Sequence, residues 1–155
     1  MAGIIEQRLA ELGLELPQAA AAVAAYVPCV RSGNLLFISG QLPMWNGEFR
    51  CVGKVGRDIS LEDANAAARL CALNLLAQAR AACDGDLDRL VRCVKLTGFI
   101  NAEPEFKDHS KIVNGASELL QQVMGEAGRH ARSSIGVGSL PFGAAVEVEA
   151  IFEVA

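Results

Sequence analysis

Arg132 is the side chain in this sequence whose charge most needs an explanation. It opens the run Arg132-Ser133-Ser134-Ile135, where a Gly-rich stretch, Gly125 to Gly128, passes into an apolar strand. A guanidinium at the root of a buried strand must find an anion. An internal carboxylate is the commoner answer. A ligand carboxylate is the other, held by two parallel N–H···O bonds from the planar fork. Glu147 and Glu149 alternate with Val146, Val148 and Ala150, which is the polar face of a half-buried strand. Such acids are usually solvated, and a carboxylate in a cleft can also accept a proton from water. The two histidines read as structural: His109 lies on the apolar face of a helix and His130 at a strand entrance. Five cysteines, Cys29, Cys51, Cys71, Cys83 and Cys93, are odd in number and contain no C-x-x-C pair. That argues against a disulfide framework and a zinc site, and for reduced thiols serving as small hydrophobes. G-x-S-x-G, phosphate-loop and H-E-x-x-H motifs are absent, and Gly53 and Gly56 lack the strand-to-helix setting of a dinucleotide loop.

The elements that position these groups follow from periodicity. Ile4, Ile5, Leu9 and Leu12 share one face of a short helix over 4–12, which Gly13 ends. Extended pieces at 27–31 and 34–39 flank the turn Ser32-Gly33-Asn34, and Gly40 to Pro43 breaks the second. Trp45-Asn46-Gly47 is a further turn, with a short strand expected over 48–52. Ser60 to Asp63 resembles a capping box, and Ala64, Ala68, Cys71, Leu75 and Ala79 predict a long helix over 61–83. Residues 89–100 read as a strand with period-2 alternation. Pro104 opens a second helix, 105–124, with Phe106, His109, Ile112, Val113, Leu119 and Val123 toward the core. Strands at 132–138 and 144–154 flank the loop Leu140 to Gly143. The order predicts an α+β two-layer sandwich: a mixed sheet with two long helices on one face and the other face open.

Composition narrows the function classes. At 155 residues the chain fits one domain, 1–155. Apolar residues make up 52%, which excludes disorder and leaves surplus apolar surface for self-association. Net charge is 14 − 18 = −4, which disfavours nucleic-acid binding. No apolar run approaches the ~18 residues of a membrane span, and Met1 to Leu16 lacks the apolar core of a signal peptide. A cytoplasmic protein without membrane partners is the expectation.

The tail Ala131-Arg-Ser-Ser-Ile-Gly-Val-Gly-Ser-Leu-Pro141 and the strand Val146-Glu-Val-Glu-Ala-Ile151 resemble the signature of the YjgF, or Rid, family of reactive imine deaminases. Leu36-Phe-Ile-Ser-Gly-Gln-Leu-Pro43, Leu73-Asn74 and Val113-Asn114 agree in order and spacing. The resemblance covers about 27–154, is closest to a longer branch without an assigned substrate, and makes residues 1 to about 25 an N-terminal helical extension. It implies a chorismate-mutase-like fold, a homotrimer with a central barrel, and a pocket in each subunit cleft. There small 2-imino or 2-enamino acids would be hydrolysed to 2-keto acids and ammonia without metal or cofactor. It assigns Arg132 to the substrate carboxylate and Glu147 to the attacking water. Gly40, with Ser39 beside it, and Ser134 would contact the imine nitrogen and carboxylate, and Asn114 would line the pocket. The family often has Cys at Ser134, and one departure matters more: Cys29 follows Pro28 where active members carry a pocket tyrosine. A small-residue replacement is the plainer reading of Cys29, and a thiol near the pocket the other. The alternative function is a non-catalytic trimeric binder of small carboxylates such as 2-keto acids. The ribonuclease label carried by some members is disfavoured by the acidic charge and sparse aromatics.

Overall fold

The computed structural model describes Gly3 to Ala155. Its elements in chain order are α1 (Ile4–Glu11), β1 (Cys29–Ser32), β2 (Leu35–Gln41), β3 (Met44–Trp45), β4 (Glu48–Phe49), α2 (Leu61–Ala82), β5 (Leu90–Asn101), α3 (His109–Met124), β6 (Ala131–Val137) and β7 (Val146–Val154). The main sheet runs β1-β2-β7-β5-β6, and β3 and β4 form a separate hairpin. Every main-sheet pairing is antiparallel except β5 with β6, which the crossover through α3 makes parallel.

α2 and α3 cover one sheet face, as their apolar periodicity requires. Ala64, Ala68, Cys71, Leu75 and Ala79 of α2 and Ile112, Val113, Leu119, Leu120 and Val123 of α3 are all completely buried. Ser60 Oγ accepts the Asp63 amide at 3.1 Å, so the cap read in the sequence is present. α3 starts at His109 rather than 105. The Phe106 amide bonds to the Glu103 carbonyl at 3.0 Å, closing a separate turn, and Asp108 leaves helical backbone values. Phe106 therefore packs beside the core from a loop. Small residues set the layer spacing. A methyl on Gly115 would land on the Asn65 carbonyl oxygen of α2, and one on Gly98 of β5 would enter the Val113 side chain. α1 docks Ile5 and Leu9 into the core while Asp88 accepts the Ile4 and Ile5 amides.

The expected alternation of β5 is interrupted. Register shifts between Leu90 and Arg92 and between Cys93 and Lys95 each add a residue, so Leu90, Cys93 and Leu96 point inward and Arg92 and Val94 outward. The strand expected over 48–52 reduces to Glu48–Phe49, with Val52 bridging to Ala144. The uncovered sheet face carries Val30, Phe37 and Ile135, each 41–53% exposed. None of the described helices is long and apolar enough to cross a membrane.

Candidate functional site

Register decides which way each candidate side chain points. Arg132 pairs with Leu96, Leu96 with Ala150, Ala150 with Ile38 and Ile38 with Cys29. Leu96, Ala150 and Ile38 are buried under the helices, so this whole row faces the helix layer. Arg132 ends the row at one sheet edge and Cys29 at the other, four strand spacings or ~19 Å away. Glu147 pairs with Phe99, and Phe99 with Ile135, in a row on the uncovered face. Within one chain, then, Arg132 and Glu147 lie on opposite faces of the sheet.

Arg132 is fixed by α3. Its Nη1 donates to Asn114 Oδ1 at 2.8 Å and to Ser117 Oγ at 3.1 Å, and Nη2 reaches the Ser110 carbonyl at 3.5 Å. Ser110, Asn114 and Ser117 stand at helical spacing on one stripe of α3. No carboxylate lies within 4.0 Å of the guanidinium among the described residues. The internal ion pair that the sequence favoured is thus replaced by neutral oxygens, and the charge stays uncompensated. Burial lowers the pKa of Arg132 from its ordinary value. Two residues on, the Ser134 Oγ is buried without a hydrogen-bond partner on the same face.

His130 sets the polarity of this network. Its Nδ1 lies 2.6 Å from the Gly128 carbonyl, which only accepts, so Nδ1 carries the proton in the neutral ring. Nε2, 2.9 Å from Ser117 Oγ, then accepts the hydroxyl proton and leaves the serine lone pairs to Arg132. Burial holds the His130 pKa down; the Gly128 bond opposes this and the Arg132 charge adds to it. Sequence reasoning placed His130 as structural and missed Ser117. The available signal was Ser110, Asn114 and Ser117 at helical spacing, bordering the apolar stripe of α3.

Glu147 is half-buried against Gly40. The β2 register shifts between Ile38 and Gln41, and this irregularity contains Ser39 and Gly40. A methyl on Gly40 would come within 2.8 Å of Glu147 Cδ and 2.9 Å of its Oε1. The absent side chain is what lets the carboxylate lie on the β2 backbone. Ser39 Oγ donates to the Val27 carbonyl at 2.8 Å and ties down the approach to β1. Burial first, and then the nearby Glu149, raise the Glu147 carboxyl pKa. A carboxyl whose folded pKa lies above its unfolded value loses stability as pH rises through that window. Glu147→Gln is therefore expected to raise the melting temperature at pH 7. The gain disappears below about pH 4, where both forms are neutral. Thermal melts at the two pH values measure it.

Beside Gly40 lies a cavity of about 210 Å³, lined by Pro28 and Leu42 of the sheet side, Tyr26 and Ala22 of the irregular segment before β1, and Phe49 and Phe142. Gln78 of α2 holds that segment by donating to the Ala20 carbonyl at 2.7 Å. Cys29 does not line the cavity. Tyr26, upstream of Pro28, joins Phe49 and Phe142 in the wall, and the sequence reading did not single it out. The other thiols are interior: burial raises Cys51, Cys71 and Cys83, and pushes Cys93 up to about 12.

Fold and site together define an α+β chain of the chorismate-mutase-like type, with an edge-strand arginine and a half-buried acid on the uncovered sheet face. The chain belongs to the YjgF family: the model described as "YjgF/chorismate_mutase-like, putative endoribonuclease" matches residues 6–153. Protein TCP17 of Trypanosoma cruzi is 47% identical over 152 residues, 97% of this chain and 94% of its own length. The crystal structure of Atu1372 from Agrobacterium tumefaciens, of unknown function, superposes with a TM-score of 0.90 at 50% identity, covering 97% of this chain and 92% of that one. Escherichia coli TdcF with bound serine gives a TM-score of 0.64 at 26% identity, covering 91% and 97%.

Proposed function

We propose that this protein hydrolyses small 2-imino or 2-enamino acids to 2-keto acids and ammonia, as a homotrimer with its sites in the clefts between subunits. The uncompensated charge of Arg132 carries the reading. Asn114 and Ser117 occupy both Nη1 hydrogens, so Nε–H and an Nη2–H form the side-on pair that fits a carboxylate. A second copy is needed because Glu147 lies on the other sheet face. Apposing uncovered faces, in a barrel of three sheets, would bury Phe37, Val30 and Ile135. It would also bring the Arg132 edge of one subunit to the Glu147 and Gly40 surface of the next.

In the reaction, Arg132 of one subunit holds the substrate carboxylate. Glu147 of the neighbour accepts a proton from water as the oxygen bonds to the imine carbon. The C=N π pair moves to nitrogen, which takes up a proton. The resulting carbinolamine expels ammonia as its hydroxyl loses a proton and the carbonyl forms. A carboxyl with a raised pKa suits this proton exchange. The serine bound by Escherichia coli TdcF is also a small amino-acid carboxylate. The net charge of −4 does not favour the polyanionic substrate of an endoribonuclease.

The test is the decay of 2-iminopropanoate, generated by an amino-acid oxidase and followed by semicarbazide trapping. Wild type is expected to outpace buffer, and Arg132→Ala to lose ~100-fold or more of kcat/KM. Wild type no faster than buffer rejects the reaction. If 2-keto acids then still bind through Arg132, the protein is a carboxylate binder.

A further inference from the structure

The geometry points to the cavity beside Gly40 as the subsite for the substrate's side chain, and to imino acids with branched or aromatic apolar side chains as the preferred substrates. This inference rests on the function proposed above. Three observations carry it. Gly40 is a shared wall: it lines the cavity, and its Cα faces the Glu147 carboxylate. A molecule whose reacting carbon sits at Glu147 therefore has the cavity as its neighbour.

The volume of about 210 Å³ is far more than a methyl group needs, and exceeds the ~150 Å³ of an apolar cavity able to hold benzene. The chemistry of the walls is selective as well. Val23, Tyr26, Leu42, Met44, Phe49 and Phe142 dominate, with the Phe49 and Phe142 rings 5.0 Å apart. The bordering amides are already engaged. Asn74 Nδ2 donates to the Met44 carbonyl at 2.7 Å and the Leu70 carbonyl at 3.0 Å, and Gln41 Nε2 to the Ser39 carbonyl at 2.9 Å. Gln41 Oε1 in turn accepts from Gln78 at 3.4 Å. A polar tail entering here would lose its water to a mostly apolar wall whose amide donors are already taken, whereas an isobutyl or benzyl group would bury against the apolar side chains.

Ala22 keeps the space open. It sits half-buried in an irregular surface segment, so enlarging it to leucine fills the cavity without disturbing a helix or strand. Calorimetric titration with the stable 2-keto acid products separates the outcomes. Wild type is expected to bind 4-methyl-2-oxopentanoate ~30-fold more tightly than 2-oxopropanoate, the ratio set by three additional buried carbons. Ala22→Leu is expected to reduce that ratio to ~3-fold or less with 2-oxopropanoate affinity unchanged, while Arg132→Ala weakens both acids alike. Equal binding of the two acids by wild type, or a ratio unmoved by Ala22→Leu, overturns the subsite and leaves the function reading standing. Binding of neither acid overturns both.

Discussion

Arg132→Ala and Glu147→Ala proteins, each inactive alone, are expected to regain roughly a quarter of wild-type imine hydrolysis when unfolded together and refolded as mixed trimers. The expectation follows from the register. Arg132 shares the helix-side row of Leu96 and Ala150, and Glu147 shares the opposite row with Phe99, so one subunit does not present both groups to one ligand. In the proposed cleft between copies, the Glu147 of an Arg132→Ala subunit would meet the Arg132 of a Glu147→Ala subunit and reconstitute an intact site. Random mixing makes about three quarters of trimers mixed, each with one intact site in three. Activity that stays at the level of the single variants, with mixed trimers verified by mass, would show that the two residues do not act across a subunit boundary.

Gly115→Ala is expected to lower the unfolding free energy by ~2 kcal/mol, although alanine is the better helix former. Replacing a mid-helix glycine gains ~1 kcal/mol of propensity. Here the new methyl would land on the Asn65 carbonyl oxygen, part of the α2 backbone, which has no rotamer by which to escape. Forcing the two helices apart costs ~3 kcal/mol, at the upper end for overpacking, because both are anchored along fully buried faces. The loss amounts to roughly 4–8 °C in melting temperature for a chain of this size. An unchanged or raised melting temperature would mean that α2 and α3 can slide, and that the close approach at Gly115 is not a fixed feature of the layer.

Much of the architecture was legible in the chain itself. Ala64, Ala68, Cys71, Leu75 and Ala79 recur at helical spacing, and Val146, Val148, Ala150 and Phe152 alternate with acids, because side-chain period follows directly from backbone geometry. Arg132 was identifiable for a similar reason: a cation at the entrance of an apolar strand is anomalous wherever the strand goes. What surrounds Arg132 was not legible. Its neutral partners on α3, of which His130 fixes Ser117, depend on how the crossover from β5 seats that helix over β6. The placement of Arg132 and Glu147 on opposite sheet faces, and the distance of Cys29 from Arg132, depend on strand order and pairing. Two extra residues in β5 each flip its alternation, so that Cys93 turns inward between them, and a turn closed by Glu103 and Phe106 delays α3 to His109. Tyr26 enters the cavity wall because Gln78, distant in sequence, holds the segment before β1 by the Ala20 carbonyl. Local periodicity tells a residue which side of its own element it occupies. Register, bulges and buried amide bonds, which join residues far apart in the chain, decide what stands on that side.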